Sequence, residues 1–134
     1  MTRPAGTAPT ILAEGPNADA FQSFMSRADK GPVVMQNLLK FKAAGGAELY
    51  GRYMEAVVPH LRKVGGRVLY LGQPDELLIG SETWDSLILV EYPTRGAFVA
   101  MVTSPEYQAI QRLRDESLER SVLYATNPLP TPAV

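Results

Sequence analysis

The chain carries one imidazole, His60, and no thiol. An imidazole titrates near pH ~6.5, which suits it to moving protons at neutral pH. His60 falls on the apolar stripe of a helical segment, directly after Pro59. Two carboxylates border a strongly apolar strand: Asp85 follows Trp84 at its start and Glu91 lies near its end. Desolvation in an apolar cavity raises a carboxyl pKa and makes the group a proton acceptor. Asn37 interrupts a second apolar run, where a buried amide must find hydrogen-bond partners. Tyr53 precedes His60 by seven residues on the same helix face, and Tyr107 stands at the corresponding place in a later helix. This set points to proton transfer on a small, mostly apolar carbon acid. His60, Glu91 or Asp85 would be the base. Asn37, Tyr53, Trp84 and Tyr107 would bind the substrate, with Asn37 and Tyr53 orienting it or donating to a developing oxyanion.

Each residue also has a plain structural reading. A lone helix histidine packs, a core tyrosine keeps its hydroxyl at the rim, and Asp85 caps a turn. Glu91 would pair with Lys40 or Arg95. The rest of the composition narrows the alternatives. Without Cys there is no disulfide framework, thiolate zinc site, iron–sulfur cluster or cysteine nucleophile. One His excludes a multi-histidine metal site within one chain, and no cofactor is expected. The 13 basic and 14 acidic residues leave a net charge of −1, without the basic excess of a nucleic-acid-binding protein. Arg52, Arg62, Lys63, Arg112 and Arg114 read as solvated helix faces. Gly65-Gly66 is a helix stop and not a phosphate loop, because no helix begins after it. No apolar run approaches the ~18–20 residues that span a bilayer, and the first nine residues lack the apolar core of a signal peptide. The expectation is a cytoplasmic protein with no membrane and no nucleic-acid partner.

The elements that must hold these residues follow from periodicity. A short helix is predicted over 16–28, an inner strand over 33–41 and an amphipathic helix over 47–64, with Pro59 as a kink. Strands follow over 67–71 and 84–92, separated by an irregular stretch. Thr94 caps a short helix, and Ser104-Pro105 opens another that runs to about 119. A last strand covers 121–126. The pattern β-α-β-β-α-β defines an α+β, ferredoxin-like fold with a four-stranded antiparallel or mixed sheet. An internal offset of 54 residues supports it, laying Val68-Leu69-Tyr70 over Val122-Leu123-Tyr124 and Tyr53 over Tyr107. The same offset lays Asn37 over Glu91. With the two central strands taken as parallel neighbours, those side chains would converge. The chain divides into an arm and helix (1–30), the ferredoxin-like unit (31–127) and a proline-rich tail (128–134).

Both central strands are apolar in both parities: Val33, Met35, Leu39 and Phe41 point one way, Val34 and Leu38 the other. Two helices cover one face of such a sheet, so the second apolar face calls for a partner. Packing it on its own copy gives a homodimer joined sheet to sheet.

The segment Gly31-Pro32-Val33-Val34-Met35-Gln36-Asn37-Leu38-Leu39-Lys40-Phe41 resembles the opening strand of one branch of the domain-of-unknown-function 1330 family. Tyr53-Met54, Pro59-His60, Gly65-Gly66-Arg67, Trp84-Asp85 and Glu91-Tyr92-Pro93-Thr94-Arg95 are similar too, as is Ser104-Pro105-Glu106-Tyr107-Gln108-Ala109. The resemblance covers 31–127 and implies the dimeric α/β-barrel superfamily, which pairs two ferredoxin-like sheets. That superfamily includes cofactor-independent monooxygenases, isomerases, cyclases, haem-binding relatives and proteins without known activity. Three readings stay open: a cofactor-independent enzyme or small-molecule-binding relative, a non-catalytic dimeric binding or scaffold module, and haem binding through His60. The residues leave open whether the protein is an enzyme.

Overall fold

A computed structural model describes residues 8–132. Its elements are α1 (Thr10–Ala13), α2 (Ala18–Met25), β1 (Val33–Phe41), α3 (Gly46–Lys63), β2 (Arg67–Gly72), β3 (Ser86–Tyr92), α4 (Arg95–Thr103), α5 (Pro105–Ser117) and β4 (Leu118–Thr126). The helix α1 falls partly in what the sequence suggests is a loose arm, whose residues 1–7 lie outside the described residues. The tail described to residue 132 has no regular structure.

The strands form one sheet in the order β2-β3-β1-β4, and every neighbouring pair is antiparallel. This is the ferredoxin-like arrangement, with the offset of 54 relating the two central strands and the two edge strands. It corrects one expectation. β1 and β3 run antiparallel, so Asn37 lies opposite Ile88 while Glu91 lies opposite Val34. The two side chains therefore occupy opposite faces of the sheet and do not converge. The observed β1–β3 register pairs residues whose numbers sum to 125, an odd value, so two positions 54 apart always point to opposite faces.

Local chemistry sets the boundaries. α3 continues through Pro59 to Lys63 and ends in a Schellman turn, with Gly66 N–H donating to the Leu61 carbonyl at 2.9 Å and Gly65 N–H to Arg62 at 3.0 Å. Gly65 has φ +83°, which a side chain would strain. The Thr94 hydroxyl accepts from Ala97 N–H at 3.1 Å and caps α4; Ser104 accepts from Tyr107 N–H at 3.2 Å and caps α5 ahead of Pro105. β3 begins at Ser86, two residues later than the apolar pattern suggests, and 73–85 is irregular.

Alternation splits the sheet into two faces. Val33, Met35, Leu39, Ile88 and Tyr92 are buried beneath the helices, with Tyr50, Tyr53, Val57 and Leu61 of α3 and Phe98, Met101 and Val102 of α4 completing the core. α3 and α5 pack side by side over that face. On the other face, Val34, Gln36 and Leu38 meet Glu91, Leu89 and Leu87 on one side and Thr126, Tyr124 and Val122 on the other. No helix covers this second face among the described residues. No helix of the described residues is long and apolar enough to cross a membrane.

Candidate functional site

Helical spacing on α3 and α5 builds the polar end of a cavity between helices and sheet. Tyr50, Tyr53, Val57 and Leu61 recur every three or four residues and share one face of α3. Tyr107, Gln111 and Arg114 do the same on α5, and all of these residues line the cavity. The floor is β1 and β3, through Met35, Asn37, Ile88, Val90 and Tyr92; α4 adds Phe98, Met101 and Val102, and α1 adds Ile11 and Leu12. A volume of about 80 Å³ is open to the centres of water molecules. At ~10–15 Å³ per water, that is room for roughly half a dozen.

The phenols of Tyr53 and Tyr107, repeat partners in sequence, hydrogen-bond to each other at 3.0 Å. Their rings meet edge to face with centroids 6.3 Å apart, and Tyr50 lies 5.3 Å from Tyr53. Burial pushes the Tyr53 phenol well above its ordinary pKa, and the neighbouring Tyr107 adds to the shift. Burial also raises Tyr107, Tyr50 and Tyr92, with Arg114 opposing the shift in each. These groups are protonated hydrogen-bond donors at neutral pH, not bases. Arg114 is half-buried on the cavity-lining face of α5. Burial works against its charge, but the oxygens of Tyr53, Tyr50, Tyr107 and Asp115 outweigh it and raise its pKa. The Asn37 amide nitrogen lies 3.5 Å from the Ile88 carbonyl, at the limit of a hydrogen bond, and faces the cavity.

Of the residues singled out in the sequence, the fold brings Asn37, Tyr53 and Tyr107 together here. The others lie elsewhere. His60 is half-buried on α3 and does not line the cavity. Glu91 is on the opposite sheet face, where its carboxylate accepts from Arg67 Nε at 2.8 Å, so its partner is neither Lys40 nor Arg95. Asp85 accepts from Phe41 N–H at 2.9 Å and lies 3.5 Å from Lys40 Nζ, extending the β1–β3 ladder by one rung. Trp84 stacks under the Arg120 guanidinium, 4.2 Å from the ring centroid, while Arg120 also bonds Glu82 and the Thr83 carbonyl. Arg114 is the correction in the other direction. Its residue type suggests a solvated face, yet it shares the inward face of α5 with Tyr107 and Gln111, a spacing of i, i+4, i+7 that the sequence displays. Among the described residues no cluster of three or more His, Asp or Glu could hold a metal ion.

A four-stranded antiparallel sheet in this order, two helices on one face and a cavity between them define a ferredoxin-like α+β protein. Residues 42–127 match the model of the domain of unknown function DUF1330, and the chain belongs to that family. The strand at 33–41, similar as it is to that family's opening strand, lies ahead of the matched segment. A protein of unknown function from Rhodopseudomonas palustris is 32% identical, with coverage of 87% of this chain and 96% of that one and a TM-score of 0.79. A NIPSNAP domain protein from Burkholderia xenovorans is 16% identical, covering 76% and 99%, with a TM-score of 0.55. A dimeric protein of unknown function and ferredoxin-like fold from Bacteroides fragilis is 17% identical, covering 73% and 97%, with a TM-score of 0.53. The last two share the fold. No curated protein matches the chain at a significant level.

Proposed function

We propose that the protein is a small-molecule-binding homodimer, with one ligand cavity between the helices and the sheet of each protomer. The observation that carries this reading is the cavity's polarity. A mostly apolar floor of Met35, Ile88 and Val90, with Asn37 among them, faces Tyr53, Tyr107 and Arg114 on the helix side. Pockets for drug-sized molecules combine mostly apolar walls with a few convergent polar groups and hold ~300–1,000 Å³. At about 80 Å³ this cavity shares the lining but admits only a very small ligand, and its size alone favours the scaffold reading. Phenols kept protonated by burial suit binding and polarising an oxygen better than abstracting a proton, and His60, Glu91 and Asp85 serve packing, an ion pair and a strand ladder in this reading. The binding unit spans 31–127, with α1 closing one side of the cavity.

The homodimer is supported by the uncovered sheet face, whose centre is Val34, Leu38, Leu87, Leu89 and Val122. Two relatives of the same fold, from Bacteroides fragilis and Thermobifida fusca, are described as dimeric. An apolar face of this kind is stable when buried against a copy of itself. Two measurements test the proposal. Light scattering at micromolar concentration should give twice the chain mass, and Leu89→Asp should give the monomer mass; a monomeric wild type rejects the homodimer. A fragment library screened by methyl NMR should yield hits that shift Met35 and Ile88 and that disappear in Val58→Phe, which fills the cavity wall. A library without such hits rejects the binding function.

A further inference from the structure

We infer that the ligand of this cavity is a small monocarboxylate, its anionic group held by Arg114 and the Tyr53–Tyr107 hydroxyls and its hydrocarbon part laid on Met35, Ile88 and Val90. The inference rests on the binding function proposed above and names its ligand class. It begins with an unbalanced cation. Lys40, Arg67, Arg112 and Arg120 each have a carboxylate within 4 Å. Among the other described cations, Arg27, Lys30, Lys42, Arg52, Arg62 and Lys63 are exposed, and of the two that are drawn inward, Arg95 and Arg114, only Arg114 lines the cavity. Its neighbour Asp115 is exposed and accepts from Gln111 Nε2 at 3.1 Å. A guanidinium carries five N–H donors in a planar fork. The fork's natural complement is a planar carboxylate, bound through two parallel hydrogen bonds.

Proton counting on the phenols leads to the same acceptor. Tyr53 and Tyr107 own two O–H groups, and their mutual bond uses one. The other is left to donate, beside the Arg114 guanidinium on the helix side of the cavity. The floor opposite is mostly hydrocarbon, Met35, Ile88 and Val90, with the Asn37 amide and the Tyr92 phenol as its polar groups, so the rest of the ligand is mainly apolar. The open volume of about 80 Å³ fits a body of about six heavy atoms, the size of butanoate. Asp115, the negative charge in the lining, disfavours a second charge on the ligand, which argues for a monocarboxylate over a dicarboxylate or a phosphate.

The test is an NMR titration of the wild-type protein at low salt with butanoate, butanamide, butan-1-ol and inorganic phosphate, followed on the Met35 and Ile88 methyl groups. Butanoate should bind at least about tenfold more tightly than butanamide, the discrimination expected of charge-assisted hydrogen bonds. In Arg114→Gln the butanoate affinity should fall to that of butanamide, while butanamide changes by less than about twofold. Equal affinities for butanoate and the two neutral compounds in wild type, or tighter binding of phosphate, would overturn the carboxylate and leave the cavity as a binding site. Those comparisons decide the matter on the wild type even where Arg114→Gln does not fold. If none of the four compounds moves Met35 or Ile88, both the ligand class and the binding function fail.

Discussion

Two arginines are drawn into the body of this protein, in regions built for different ends. Arg95, the first residue of α4, is 4% exposed and sits where three distant pieces of chain meet. Its guanidinium lies 5.4 Å from the centre of the Phe24 ring and donates to the Asn127 side chain, and its backbone N–H donates to the Lys30 carbonyl. The packing there is close enough that a Cβ on Gly31 would lie 2.0 Å from the Pro93 carbonyl oxygen. Arg114 stands instead against an open cavity, beside three phenols. Neither has a carboxylate within 4 Å among the described residues. Taking a guanidinium out of water without an opposite charge is costly, so each site must return something for it. The junction returns fixed chain ends. In the cavity the oxygens of Tyr53, Tyr50, Tyr107 and Asp115 offset the burial of Arg114, and the guanidinium still faces open space that the proposed ligand would fill.

Alkaline pH separates the two regions most strongly. Tyr50, Tyr53, Tyr92 and Tyr107 all line the cavity, and burial raises the pKa of each. The unfolded chain releases these protons near pH ~10, before the folded protein does. Their contribution to stability is therefore complete below pH ~10 and is lost as the pH rises toward the folded pKa values. Each phenol subtracts about 1.4 kcal/mol per pH unit over that window, and the four together up to about 5.5 kcal/mol per pH unit. Circular dichroism and tyrosinate absorbance, followed together, should show these phenols ionising as the chain unfolds. Ionisation complete while the fold persists would mean that the cavity region is far more open than its geometry indicates.

Truncating the two arginines comes next in size. Arg95→Ala empties closed space and strands the Asn127 side chain, at a cost of about 3–4 kcal/mol in denaturant unfolding. Arg114→Ala only enlarges a cavity that already admits water and removes an unpaired charge, at a cost of about 1 kcal/mol or less. Equal losses would erase the distinction between a fastening and a facing arginine.

Much of the fold is legible in sequence because periodicity and punctuation are local. The 3.6-residue stripe of α3, its stop at Gly65-Gly66 and the caps at Thr94 and Ser104 each specify an element without reference to the rest of the chain. The polar end of the cavity is half legible for the same reason. Tyr53, Tyr107 and Asn37 sit where an apolar pattern is broken by a hydrogen-bonding group. Glu91 breaks a pattern just as visibly but belongs to the other face, because the direction and register of β3 against β1 are properties of the whole sheet, and a shift of one residue in register exchanges the faces. Trp84 and Asp85 fall inside the strand that the apolar pattern suggests but just ahead of the observed one, because cross-strand partners decide the boundary. Arg114 is hidden by its residue type: a charged helix position is ordinarily solvated, and only the packing of α5 on α3 turns it inward.

The smallest effect tests the cavity from within. Tyr53→Phe and Tyr107→Phe each remove one partner of the 3.0 Å hydrogen bond. In a sealed core the surviving hydroxyl would be left unsatisfied, at about 1–3 kcal/mol. Here cavity water can replace the lost partner, so each variant should lose only about 1 kcal/mol. Because water then satisfies each hydroxyl independently of the other, the double variant should lose about the sum of the two single losses. A double-mutant cycle measured by urea unfolding gives the coupling directly. Coupling near zero means that water serves each phenol as well as the other phenol does. Coupling well above 1 kcal/mol means that the pair is sealed like the Arg95 junction, and the hydroxyl assigned to the ligand is then out of the ligand's reach.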